Sequence, residues 1–476
     1  MPSSSSPVPG NRRSPSFAVT SPADILSYVP HALGFMPARS LVVLTTTGRW
    51  LGATLRVDLP ASVTDPLGFA EGVLSFLRDD AAADGTLLIV YGADWPRLGP
   101  VPHEALVSAL GTVLEAAGLP VRDGWFVSAA GWRNYFCRDD DCCPWPGEPL
   151  DAVASSALGA ELVFGGSAFD ASAPEAVLRA APAVAAGCTT SEGELRAVED
   201  AQAHYAAACS GRWTSASQFP ATSAVWDAVL LLPHGFETTA HPDVAGFLLA
   251  SIESRTVRDF LLASACLGSA RALDGAAACG LFGSGASGRY AGGIPDGAGE
   301  PAGALPPVLP DAHEAGGRDA GPVEAMEEIR TAITAIAAIA AIAATASPPG
   351  PRGHPSPGRE VDAAALLYAD VLAGRFTGTI TWHRVDAMAQ VLARLAAVSD
   401  GESRAAALTM SAWFEYARGR GSRAAVFLEA AELTVPGYRL ARLLSELLRR
   451  GGLPAWARRR STAWTADAAR TCTGAA

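Results

Sequence analysis

The chain has 476 residues, of which 49% are apolar, enough to build packed cores in about three domains. All 36 basic residues are arginine, which excludes chemistry needing a primary amine: a Schiff base to pyridoxal phosphate, a phosphate-loop lysine, or the strand lysine of protein kinases. The formal net charge of −12 argues against a chain devoted to coating nucleic acid.

Residues 1–17 are rich in Ser and Pro and lack the apolar core of a secretory signal, so they are predicted to be disordered and the chain cytoplasmic. No apolar run reaches the roughly 18–20 residues needed to cross a bilayer; the nearest, from Ile333 to Ala346, is short and mostly alanine. The α/β domain is predicted over 18–185. Ser21-Pro22-Ala23-Asp24 reads as a helix start, with Ser as cap, Pro in the first helical position and a carboxylate in the first turn. That helix is expected to break or kink at Pro30. Ser40 to Thr45 reads as a strand, and a turn at Gly48 leads to a second strand in which Leu55, Val57 and Leu59 alternate with polar residues. Asp65-Pro66 opens a helix, Thr86 to Tyr91 is a buried strand, a second helix carries Leu106, Leu110 and Leu114, and Trp125 to Ser128 is a further strand. The order ββαβαβ, followed by a ribbon from Trp132 to Cys137, implies a mixed sheet with helices packed on it.

The strand pattern then gives way to helical spacing, predicting a helical region over 186–268 that is clearest from Val244 to Ala265. Between Gly283 and Pro322, 17 of 40 residues are Gly or Pro, so 269–359 is predicted to be a linker or disordered insert, with an isolated Ala/Ile helix from about Glu324 to Ala346 inside it. Residues 360–455 are predicted to form a helical C-terminal domain, with 456–476 as a tail. There Ala424, Leu428, Ala431 and Pro436 follow Gly419 at the spacing of a tetratricopeptide-like hairpin. One such unit cannot bury its own apolar face and must pack on neighbours or on a partner.

Two groups of residues carry candidate chemistry. Cys137, Cys142 and Cys143 lie within seven residues, in a turn with three aspartates and nearby prolines. Three thiolates suit a soft metal such as zinc, which wants a fourth ligand; neighbouring thiols also suit redox chemistry; and small thiols can simply fill a tight turn. The aspartates are expected to raise the thiol pKa values. Asp58 and Asp94 fall near the carboxyl ends of strands, where open α/β sheets bind ligands, although Gly-x-Asp after a strand is also ordinary loop chemistry. Gly283-Ser-Gly-Ala-Ser-Gly288 matches a dinucleotide fingerprint only in letters, because no strand precedes it and no helix follows. Neither HExxH nor GxSxG occurs. Arg439, Arg442 and Arg449, with Glu446, read as a solvated helix face.

The segments SPADILSYVPHALGFMPARSLVVL, LRVDLP, LIVYG and WRNYFCRDDDCCPWPGEPL, and the stretch from Ser411 to Pro454, resemble domain of unknown function 4192, a bacterial family known by its Cys-Cys-Pro motif. The resemblance implies one architecture from about residue 20 to 455, with Cys142-Cys143-Pro144 as its hallmark; it implies no activity, substrate or cofactor. The functional expectation is a non-enzymatic interaction or regulatory protein that meets a protein partner through its helical C-terminal domain. The alternative is a small-molecule-binding protein or enzyme using the α/β domain, with a metal or redox-active thiols at the cysteine turn.

Overall fold

A computed structural model describes residues 21–60, 64–180, 191–232, 236–283, 322–344, 362–449, 453–459 and 461–464. The predicted disordered start, the Gly/Pro-rich residues 284–321, the segment SPPGPRGHPSPG and the tail beyond 464 lie outside them. The chain divides into two compact units, 1–176 and 177–476.

The first unit runs α1 (Pro22–Leu33), β1 (Ser40–Thr47), β2 (Trp50–Asp58), α2 (Pro66–Leu77), β3 (Gly85–Tyr91), α3 (Glu104–Ala116), β4 (Val121–Ser128), β5 (Gly131–Asn134), α4 (Asp151–Ala154) and α5 (Ala157–Phe164), with α6 (Ala173–Ala180) at its end. The predicted serine cap is present and is part of a capping box: Ser21 Oγ accepts the Asp24 N–H at 3.2 Å and the Asp24 carboxylate accepts the Ser21 N–H at 3.0 Å. The break expected at Pro30 does not occur. Proline removes one backbone donor, but the buried side chains of Val29, Pro30 and Leu33 hold the last turn, which ends at Gly34 with φ 82°.

The five strands lie in the order β2-β1-β3-β4-β5. β1 is antiparallel to β2 and β3, β3 and β4 are parallel, and β5 returns antiparallel to β4. Alternate residues of the central strands serve two cores. Leu41, Val43, Leu88, Val90 and Phe126 pack with α2 and α3, whereas Val42, Leu44, Leu87, Ile89, Tyr91 and Trp125 pack with α1. A strand apolar on both faces must be covered on both, which is why these runs are continuous.

The second unit is helical: α7 (Glu192–Ala208), α8 (Gln218–Leu230), α9 (Pro242–Glu253), α10 (Arg255–Leu267), α11 (Ser269–Ala278), α12 (Pro322–Ala344), α13 (Ala363–Leu372), α14 (Trp382–Ala397), α15 (Gly401–Ala417), α16 (Gly421–Thr434) and α17 (Arg439–Arg449). Its core includes the fully buried Trp226, Trp413, Trp456, Phe247 and Phe260. α12 is not the isolated helix expected from its flanks. Met326, Ile329, Ile333 and Ile336 recur at three and four residues and are buried in the common core, beside α7, α8 and α9. Trp456, expected to open the tail, is buried and donates its indole N–H to Ala417 O at 2.8 Å.

α15 and α16 form an antiparallel hairpin across Arg418–Arg420, with Gly419 at φ 77° and Ala424, Leu428 and Ala431 buried. At its turn Glu415 sits within ion-pair distance of three guanidinium groups: Arg418 at 2.8 Å, Arg423 at 3.2 Å and Arg420 at 3.7 Å. Arg418 also pairs with Asp386 at 2.6 Å, and Arg420 lies 4.1 Å from the Trp464 ring centre. Arg439, Arg442 and Arg449 are exposed along α17. Among the described residues, no helix is long and apolar enough to cross a membrane.

Candidate thiolate metal site

The ribbon that leads to the cysteines stops earlier than its sequence suggests. β5 ends at Asn134, because the Asn134 side chain takes over the backbone: its Oδ1 accepts the N–H groups of Phe136 and Cys137 at 2.9 and 3.0 Å. Its Nδ2 donates to Asp123 Oδ1 at 2.7 Å, which ties the turn to β4. The chain then loops out and comes back beside β5, where Trp132 and Glu148 exchange backbone hydrogen bonds of 2.9 and 2.8 Å. The return is so close that a Cβ on Gly147, at φ 141°, would lie 2.5 Å from Trp132 O, so only glycine fits there.

Inside this loop the Cys143 N–H donates to Asp139 O at 2.7 Å and the Asp141 N–H to Asp139 Oδ1 at 2.9 Å. These bonds fold 139–143 into a tight turn that brings the three thiols together. All three Sγ atoms lie within 4.8 Å of one another, with Cys142 and Cys143 4.0 Å apart. Cys137 and Cys143 are half-buried and Cys142 is exposed.

The turn is built around an arginine. The buried Arg133 guanidinium lies 5.0 Å from the Trp95 ring centre and 4.8 Å from that of Trp145, and it reaches the carbonyl oxygens of Cys137 and Cys143 at 3.5 and 3.4 Å. Guanidinium stacks readily on indole faces. Arg138 lies 5.3 Å from the Trp95 ring centre, and Arg97 pairs with Asp140 at 3.0 Å. The loop after β3, which carries Trp95 and Arg97, therefore packs against the cysteine turn.

The thiols are not equivalent. A backbone hydrogen bond at Asp139 and the Cys143 thiol hold Cys137 below the ordinary thiol range, although the Asp139 charge opposes this. Burial and the two neighbouring thiols push Cys143 up to about 11. At Cys137 the Asp139 charge acts in the expected direction, raising the thiol, but hydrogen bonding outweighs this one exposed carboxylate.

Asp58 ends the edge strand β2, is exposed and pairs with Arg56. β5, which bears the cysteine turn, is the opposite edge, four strand spacings or roughly 19 Å away. Asp94 is exposed in the loop after β3, next to Trp95. The sheet therefore puts Asp94 on the segment that meets the cysteines and leaves Asp58 remote from them. Arg133, Trp95 and Trp145 were not legible as site residues, because no spacing links position 95 to 133 and 145.

The fold and the site together define a chain of two parts, an α/β unit bearing a three-thiol turn and a helical unit. The family described as domain of unknown function (DUF4192) matches residues 22–277 and 298–455, and the chain belongs to that family. The match includes the cysteine turn and α12, and leaves out only 278–297 between its two parts. No curated protein and no solved structure matches the chain.

Proposed function

We propose that this is a cytoplasmic protein that holds a soft metal ion, zinc in the first instance, on Cys137, Cys142 and Cys143. One observation carries the proposal: three sulfurs converge within 4.8 Å. A tetrahedral ion with Zn–S bonds of about 2.3 Å needs sulfurs about 3.8 Å apart, so side-chain adjustment of about 1 Å closes the site. Redox pairing is the weaker alternative, because joining Cys142 to Cys143 leaves the convergence of Cys137 without a role. Elemental analysis of the full chain, purified without chelator and then loaded with zinc, is expected to give one equivalent that the Cys142→Ser, Cys143→Ser variant loses. A folded wild-type chain that stays metal-free after loading would leave the thiols purely structural.

A second reading concerns the helical unit as the surface for a protein partner. Leu433 on α16 and Leu443 on α17 are 80% and 56% exposed, whereas Leu428 and Leu444 on the same two helices are buried. The Leu433→Glu, Leu443→Glu variant should keep its helical circular dichroism and lose co-purifying protein. Unchanged recovery would remove this surface from consideration.

A further inference from the structure

The number of donors at the cysteine turn sets what kind of metal site it is. Residues 1–20 and 61–63 contain no His, Cys, Asp or Glu, so every such side chain of residues 1–176 belongs to the described part of the chain. Among the described residues, Cys137, Cys142 and Cys143 are the one group of three or more that converges to metal-binding distance. Structural zinc sites are closed by four protein ligands, whereas sites with three keep a position for an exchangeable ligand. Here the exposed Cys142 puts the sulfur cluster at the surface, where a fourth donor has access.

Resting on the metal reading above, we infer that the site is an open one, whose fourth position takes a neutral nitrogen or oxygen donor from solution: water in the free protein, displaced by an imidazole. The neutral class follows from charge. A divalent ion with three thiolates carries a net charge of −1. Asp139, Asp140 and Asp141 are exposed beside it; of the exposed cations on these segments, Arg97 is already paired with Asp140, and Arg138, next to Cys137, donates to Tyr135 O at 2.8 Å and lies over the Trp95 ring, so the carboxylates outnumber them. An incoming anion meets this negative field, while an imidazole or water does not. Arg133 does not change that balance at the open face, because it is buried against two indoles and directed at backbone carbonyls.

The test uses the full chain loaded with cobalt(II), whose visible bands report coordination and whose near-ultraviolet bands report thiolate bonding. Thiolate-to-cobalt bands that appear in the wild type and vanish in the Cys142→Ser, Cys143→Ser variant establish the site itself. Imidazole is then expected to shift the visible bands saturably, and azide to leave them unchanged. Bands that respond to neither ligand show a closed site and overturn the inference while leaving metal binding intact. A response to azide alone overturns the charge argument. The variant Asp139→Asn, Asp140→Asn, Asp141→Asn checks for an internal carboxylate ligand: its cobalt spectrum should match the wild type, and a changed one would mean that an aspartate already fills the fourth position. Absence of cobalt binding would overturn the metal reading and this inference with it.

Discussion

Glu415→Ala is expected to cost the helical unit about 3–5 kcal/mol, the loss typical when one partner of a buried ion cluster is removed. The carboxylate accepts a hydrogen bond from Arg418 and lies within ion-pair distance of Arg420 and Arg423, and its side chain is only 9% exposed. Without it, three guanidinium groups face one another with Asp386 as the remaining nearby carboxylate. Glu415→Gln keeps the shape and some hydrogen bonding but not the charge, so its cost should be smaller. Urea unfolding followed by tryptophan fluorescence measures both, and a loss under about 1 kcal/mol for the alanine variant would mean the cluster behaves as an exposed one.

The same carboxyl gives a pH signature. Burial pushes Glu415 up, and the three arginines more than cancel this, leaving it below the ordinary glutamate range. A depressed carboxyl contributes stability that is fully present above its unfolded pKa of about 4.3 and is lost as pH falls through the lower folded value. The stability gap between wild type and Glu415→Gln should therefore be constant near neutrality and shrink in acid below that range. A gap that widens on acidification would contradict the sign.

Ile333→Ala is expected to destabilise the helical unit by about 2–5 kcal/mol, the range for truncating a fully buried isoleucine. Ile333 is 1% exposed, in a row with Ile329 and Ile336 that faces the common core. Arg330 adds a polar tie from the same helix, donating to Asp243 at 3.0 Å and meeting His241 Nδ1 at 3.1 Å. An isolated helix would lose almost nothing on this substitution, so the measured value separates the two pictures of α12. Chemical unfolding followed by far-ultraviolet circular dichroism is the appropriate measurement.

The sequence by itself determined the kind and order of the elements in the first unit. Leu55, Val57 and Leu59 alternate, TLLIVY is apolar on both faces, and Leu106, Leu110 and Leu114 repeat at helical spacing. Such periods are local properties of the backbone and can be read without knowing what packs where. It also marked the three cysteines, because their nearness in sequence forces nearness in space. α12 was recognised as a helix but misjudged in context, since its Gly/Pro-rich flanks say nothing about where a helix of 23 residues docks. Only the tertiary structure decided that docking, the placing of Asp58 at the edge far from the cysteines, and the seating of Arg133 against Trp95 and Trp145. Each of these depends on strand order or on contacts between distant segments. Those are fixed by the joint burial of many side chains, and no window of sequence contains them.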